Sequence, residues 1–554
     1  MSDYPANKNH KSSCWTLAVL VASAAVCPAE PILTESGLIE GRQEQSLTVF
    51  RGVPYAMPPV GDLRWREPQP PAPWAGVREA DHFSPVCPQQ GASVPGAAQE
   101  PTSEDCLYLN IWAPAHPRGS KLPVMVWLYG GGWTTGSASM PLYRGDQLAA
   151  RGVVVVTVGY RVGAFGFLAH PELTQESPHR VSGNYGLLDQ VAALRWVQRN
   201  IRAFGGDPAC VTIFGQSAGS MSVCLLMSSP LAKGLFQRAI GESGGVFSPP
   251  AAVPGSSVLF LPGAEQIGLA LQRQLGASSL AGMRQVPASE IVKAEQDLPF
   301  LFTFDGYVLD RQPYDAFSSG LQNDVPLLVG SNADEGQPFL EGARVTAANF
   351  KSGLAHSAFS KIPESVLAHY PYASDKEAFQ SRAALERDVR FGWDMWTWAS
   401  LQAKAGKAPV YYYNFGHRPP APDGSPWARW GAGHWAELPY VFGHPAQAPG
   451  AWTGADRALS GAMIGYWTNF AKRGDPNGPG LDEWPAFSGA QPQALHFDSA
   501  IRIGGVANLE KLEAIDEFFA LARRSPIAVQ RQAMLGLVTS GAMKPASGGP
   551  VGSN

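Results

Sequence analysis

Apolar residues recur along this chain in two rhythms. In the first they run almost unbroken between glycine, proline or polar residues. Leu122–Tyr129, Val153–Val158, Val211–Phe214, Pro326–Gly330 and Val410–Phe415 are of this kind. Such runs predict strands covered on both faces. In the second rhythm Val191, Leu194, Val197 and Ile201 return at helical spacing. This predicts a helix over Gln190–Ile201 that stops at Phe204-Gly205-Gly206-Asp207-Pro208. Ahead of these, short apolar runs from Pro31 to Trp74, and then Leu107–Trp112, read as small antiparallel strands. Two helical insertions are expected, at about Phe247–Phe302 and Glu341–Lys407. Glu510–Arg523 reads as a terminal amphipathic helix. Together these predict an α/β architecture: a mixed, mostly parallel central sheet flanked by helices, with the insertions over its active edge.

Composition adds a compartment. The chain has 554 residues, 45% of them hydrophobic, and a formal net charge of -4 with no long basic run, so there is no footprint for nucleic acid. Lys8 and Lys11 precede the apolar run Trp15–Val26, which is too short to span a bilayer comfortably. Residues 1–29 therefore read as a signal peptide, with small residues for cleavage at Ser23 and Ala25 or at Cys27 and Ala29. A lipid anchor at Cys27 is disfavoured by the bulky Val26 before it. A secreted or periplasmic protein with no stable membrane anchor is expected. Cys87 and Cys106 flank a polar loop and are expected to form a disulfide, as an exported chain permits. Cys210 and Cys224 are expected to be buried free thiols, and no Cys/His spacing suits a metal. Beyond Ser525 the chain is small and polar, so 526–554 reads as a disordered tail behind one large domain over 30–525.

The chemistry centres on Val211-Thr212-Ile213-Phe214-Gly215-Gln216-Ser217-Ala218-Gly219. An apolar strand, G-x-S-x-G and then a small-residue helix make a nucleophile elbow. Upstream, Tyr129-Gly130-Gly131-Gly132-Trp133 follows a buried strand. Its backbone N–H groups, with that of Ala218, suit an oxyanion hole. A serine hydroxyl needs a base and the base needs an orienting carboxylate, here in chain order Ser, acid, His. Spacing alone leaves Asp334 or Glu335 as the acid, and His417, His434 or His444 as the base.

Several further motifs stand in order. They are Phe50-Arg51-Gly52-Val53-Pro54-Tyr55-Ala56, Ser103-Glu104-Asp105-Cys106-Leu107-Tyr108-Leu109-Asn110, Asn184-Tyr185-Gly186-Leu187-Leu188-Asp189-Gln190, Asp334-Glu335-Gly336 and the His434 loop. With them the chain, from about Gly41 to Phe487, resembles the type-B carboxylesterases, which include cholinesterases and bacterial para-nitrobenzyl-esterase-like enzymes. The resemblance implies an α/β-hydrolase fold with Ser217 as nucleophile, Glu335 as acid, His434 as base, and Gly131, Gly132 and Ala218 as oxyanion donors. It supports the Cys87–Cys106 bridge. It implies ion pairs of Arg51 with Glu104 and of Arg161 with Asp189, and places Ser243 in support of the acid. It implies an acyl-enzyme route acting on a small-molecule ester, with no metal or organic cofactor.

Three departures shape the substrate. Gln216 stands where the family usually has glutamate, Trp435 stands where a small residue is common, and the Cys87–Cys106 loop holds no aromatic residue. Together these argue against choline esters. Trp133, Trp435 and Gln216 are expected to line the pocket, whereas Trp393, Trp396 and Trp398 are expected to pack within the fold. Uncharged esters with short or aromatic acyl groups are the expected substrates. A lipase acting at interfaces and a silent adhesion protein on the same scaffold are the alternatives. The second is disfavoured because all three triad candidates are present.

Overall fold

The computed structural model describes residues 27–91, 100–115, 119–253, 259–355, 357, 359–490 and 492–524. Residues 1–26 of the expected signal peptide, and the expected tail over 526–554, lie outside the described residues.

Among the described residues fifteen strands form two sheets. They are β1 (Cys27–Pro28), β2 (Ile32–Thr34), β3 (Gly37–Glu40), β4 (Arg42–Glu44), β5 (Leu47–Pro54), β6 (Val77–Glu79), β7 (Tyr108–Pro114), β8 (Leu122–Leu128), β9 (Val154–Val158), β10 (Gly206–Gln216), β11 (Arg238–Glu242), β12 (Leu327–Asn332), β13 (Val410–Phe415), β14 (Gln493–Phe497) and β15 (Ile501–Gly505). β2, β3 and β6 make a small sheet. The other twelve make one large sheet in the order β1-β4-β5-β7-β9-β8-β10-β11-β12-β13-β14-β15. Pairing is antiparallel from β1 to β9 and again at β14/β15, and parallel from β9 through β8 and β10 to β14.

The parallel block is where the unbroken apolar runs lie. Val124–Leu128 and Val154–Val156 are wholly buried because helices cover both faces. One of those helices, Tyr185–Asn200, starts a turn earlier than the apolar spacing predicts. Its first turn is held by polar contacts that periodicity does not register. Asn184 donates to the Thr303 carbonyl at 2.6 Å and to Asp305 at 2.9 Å, and Asp189 takes Arg161 at 2.7 and 2.8 Å. The Arg161–Asp189 pair is fully buried, as the resemblance implies.

The other implied pair is corrected. Arg51 on β5 reaches across the hairpin to Glu44 at 2.6 Å. Glu104 is instead held bidentately by Arg64, at 2.5 and 2.7 Å. Arg64 also donates to the carbonyls of Met283 and Val286, tying the first insertion to the sheet domain. Cys87 and Cys106 form the expected disulfide across a sequence separation of 19. A loop of this size stabilises by roughly 3 kcal/mol in the chain-entropy view. Cys224 is buried, but Cys210 is only half-buried, its thiol 3.2 Å from the Arg238 guanidinium. Trp393 and Trp398 are wholly buried, and Trp396 packs partly buried against the core, as expected. No helix among the described residues is long and apolar enough to cross a membrane.

Candidate active site

The site forms where β8, β10 and β12 end at the same edge of the sheet. β10 runs into Ser217, and the helix Ala218–Ser228 starts at once. The turn is sharp enough to hold Ser217 at φ 56°, ψ -126°, a conformation that costs a non-glycine residue about 1–3 kcal/mol. Two glycines make the turn sterically possible. A Cβ on Gly219 would lie 2.0 Å from the Leu128 carbonyl, and one on Gly215 would lie 2.5 Å from Gly219 itself. The Ser217 N–H is anchored on the Glu242 carbonyl at 2.9 Å, so β11 braces the elbow.

β8 ends in the glycine turn. Gly131 and Gly132 have φ of 115° and 64°, and the Gly131 carbonyl accepts the N–H groups of Thr134 and Thr135. A Cβ on Gly131 would meet the Thr135 carbonyl at 2.3 Å. The turn thus brings a stretch of backbone beside Ser217 and Ala218, on the wall of the same cavity.

β12 ends at Asn332, and Glu335 follows in the next turn. Glu335 and His434 are both buried, and His434 Nδ1 lies 2.5 Å from Glu335 Oε2. The other carboxylate oxygen, Oε1, accepts the Asn332 N–H at 2.9 Å. The alternatives left open by spacing lie elsewhere. Asp334 accepts from Arg418 and from the Ala432 N–H, His417 meets Asp456 at 2.7 Å, and His444 meets the Arg144 carbonyl at 2.8 Å. His434 is further fixed by ring contacts. Phe391 stacks on it at 4.5 Å, with Phe339 at 5.5 Å and Trp435 at 4.7 Å.

Ser217, His434, Gly131, Gly132 and Ala218 all line one cavity of about 460 Å³. Its walls are mostly apolar. Phe339, Phe391, Met221, Ala252 and Val253 line it, and the terminal helix Leu509–Arg523 contributes Phe518 and Phe519. The insertions therefore do cover the sheet edge. Two charged residues, Arg390 and Asp394, also face the cavity. A second cavity, of about 540 Å³, lies on the far side of His434 and Trp435, between Trp427, Trp430 and Phe83. His434 and Trp435 border both cavities, and Trp435 has its backbone at φ 74°.

Three sequence expectations are corrected here. Trp133, at φ 59°, turns away from the cavity. Its ring packs on Phe167 and Phe302, and its Nε1 donates to Ser222 at 3.0 Å. Gln216 is fully buried, with its amide nitrogen 3.4 and 3.3 Å from the two ring nitrogens of His434. It abuts the histidine and does not line the cavity. The Ser243 hydroxyl is buried without a hydrogen-bond partner, so it gives Glu335 no bond.

Sequence reasoning missed the buried acids behind His434. Asn332, besides donating its N–H to Glu335, donates through Nδ2 to Glu437 and to the Gly433 carbonyl. Glu437 is wholly buried, and burial together with the nearby Glu335 and Glu242 pushes its carboxyl well above the ordinary range. Burial pushes Glu242 up to about 8, against the opposing effect of the Trp467 indole N–H at 2.8 Å. The signal for Glu437 was its place three residues after His434, on the same turn. Glu242 had no such signal.

Glu242 binds its proton more tightly folded than unfolded, so its contribution is present at low pH and is lost as pH rises from about 4.5 toward 8. Glu242→Gln is expected to flatten this loss by on the order of a few kcal/mol. Thermal unfolding of both proteins at pH 5 and pH 8.5 checks it, and parallel losses would refute it.

Among the described residues no group of three His, Cys, Asp or Glu is placed to hold a metal ion. Residues 29–514 match the carboxylesterase family. The chain is 39% identical over 507 residues to a fumonisin B1 esterase of Sphingopyxis macrogoltabida, covering 88% of this chain and 90% of that one. It is 35% identical over 506 residues to a para-nitrobenzyl esterase of Bacillus subtilis, covering 87% and 98%. A solved para-nitrobenzyl esterase structure superposes with a TM-score of 0.75 at 34% identity, covering 88% of this chain and 99% of that one. A strained serine elbow, a glycine turn beside it and a buried Glu–His pair are thus found within a sequence match that spans nearly the whole chain, and the chain belongs to the carboxylesterase family of carboxylic-ester hydrolases.

Proposed function

We propose that Ser217 is the nucleophile, His434 the general base and Glu335 the acid that orients it. The observation that carries this reading is the buried Glu335–His434 contact on the wall of the cavity into which Ser217 opens. Ser217 Oγ attacks the ester carbonyl while its proton passes to His434 Nε2. The carbonyl oxygen becomes an oxyanion facing the N–H groups of Gly131, Gly132 and Ala218, each worth about 3 kcal/mol of barrier. Collapse breaks the C–O bond, and the alcohol leaves with the proton from His434. Water then gives its proton to His434, attacks the acyl-enzyme, and frees the acid and Ser217. Glu335 holds Nδ1–H throughout, which keeps Nε2 free to accept.

The cavity volume and its aromatic walls favour compact or aromatic acyl groups. Hydrolysis of 4-nitrophenyl esters from acetyl to decanoyl, and of the benzoyl ester, tests this. A peak at short or aromatic groups is expected; a peak at long chains would favour the lipase alternative. Trp435, which borders both cavities, is read as the partition between them, and Trp435→Gly is expected to join them and to relieve a positive-φ tryptophan. It is expected to raise kcat/KM for octanoyl and decanoyl esters relative to acetyl by about tenfold; an unchanged chain-length profile would refute the partition.

The same reading places the enzyme outside the cytoplasm, with 1–29 removed as a signal and 30–525 as the hydrolase domain. The Cys87–Cys106 disulfide supports an oxidising compartment. The mass of the exported protein is expected to begin after Ala25 or Ala29, and an intact Met1 would refute it.

A further inference from the structure

One wall of the catalytic cavity carries a positive charge that the ester chemistry does not use. The helix Asp375–Arg387 widens into a π-helical turn over Asp388–Gly392 before continuing as Trp393–Ala405. Such turns shift the direction of successive side chains and occur often at functional sites. This one sets Phe391 flat against His434 and presents Arg390 to the same cavity. The Arg390 side chain is 39% exposed, and its guanidinium lies 5.4 Å from the centre of the Phe339 ring and 5.3 Å from that of Phe359.

The charge around Arg390 does not cancel. Glu386 is almost fully buried and accepts Arg390 Nε at 2.5 Å on Oε2. Its other oxygen accepts Arg382 at 3.2 and 2.9 Å. Two guanidinium groups on one carboxylate leave one positive charge, and the less buried guanidinium faces the cavity. The remaining charged groups there have partners of their own. Asp394 receives the Phe247 N–H at 2.9 Å, and burial lifts its carboxyl to about 7. His434 is committed to Glu335. A half-buried guanidinium held over two aromatic rings is a pre-organised fork for a carboxylate.

We infer that Arg390 is a specificity residue for esters that carry a second, ionised carboxyl group, which it binds while the scissile ester lies at Ser217. The inference rests on the proposed esterase reading and narrows its substrate class to acidic esters. The free carboxylate sits on either the acyl or the alcohol side of the scissile bond, and two matched pairs separate these. The first is the 4-nitrophenyl monoester of glutaric acid against 4-nitrophenyl pentanoate. The second is 4-acetoxybenzoate against 4-methylphenyl acetate.

In at least one pair, Arg390→Gln is expected to lower the acidic-to-neutral ratio of kcat/KM by about tenfold or more, chiefly through KM of the acidic ester. Glu386→Gln removes the shared negative charge and is expected to raise the same ratio. In the wild type, raising NaCl from 0.05 to 0.5 M is expected to lower it, which tests the charge without any substitution. Ratios unmoved by Arg390→Gln in both pairs, or a wild-type ratio indifferent to salt in both, would overturn the inference. A wild type inert toward pentanoate would overturn the esterase reading itself, whereas activity on pentanoate with unmoved ratios overturns only the role of Arg390.

Discussion

Ser217→Ala is expected to lower kcat for 4-nitrophenyl acetate by about 10⁶-fold. The magnitude follows from what remains. In the proposed mechanism the glycine turn and the helix start still stabilise an oxyanion, so a residual rate some 10³ above water is expected, with no burst of 4-nitrophenol. The fold is expected to tolerate the change. Ser217 is held by its backbone, through its N–H on the Glu242 carbonyl and its carbonyl on the Met221 N–H. Alanine meets the same positive φ with no added bulk. Two measurements check this: burst kinetics, and labelling by a fluorophosphonate, which is expected to mark the wild type at Ser217 and leave the variant unmarked. Activity within tenfold of wild type would move the nucleophile elsewhere.

Glu335→Gln is expected to cost about 10⁴ in kcat with little change in KM. The structure gives a specific reason. Glu335 Oε1 accepts the Asn332 N–H at 2.9 Å while Oε2 faces His434 Nδ1. In the variant the carbonyl oxygen must take the place beside Asn332, because an NH₂ there would meet another donor. The NH₂ then points at Nδ1 and favours the imidazole protonated on Nε2, the tautomer unable to accept the serine proton. Thermal unfolding is expected to stay close to wild type, which separates a tautomer effect from a folding defect. A loss under about tenfold would mean that Glu335 does not orient His434.

The covered strands of the parallel block were legible from their unbroken apolar runs, and the elbow was legible because its glycines sit between such a run and a small-residue helix. The choice of Glu335 and His434 was not legible from spacing, since three histidines and two acids satisfy the chain order; the family resemblance made it. The errors have local causes. Trp133 follows the glycine turn so closely that pocket and core look equivalent, and only its positive φ swings it into the core. Arg51 and Arg64 both precede the cysteine loop, and only the hairpin geometry assigns Arg51 to Glu44. The cavity wall was illegible because Phe339, Phe391 and Phe519 come from separate segments, and the π-helical turn behind Arg390 leaves no trace in periodicity.

The topology of the large sheet has a consequence for how the enzyme comes into being. Its neighbouring parallel strands β11, β12 and β13 are joined by long excursions that carry both insertions, so their pairing requires closing large loops. Ser217, Glu335 and His434 each hang from a different part of that block. Hydrolytic activity is therefore expected late in folding and is expected to be lost early in its reversal. The appearance of turnover during refolding reports that β10, β12 and the loop after β13 have docked together, which a spectroscopic measure of helix or strand content would register too soon.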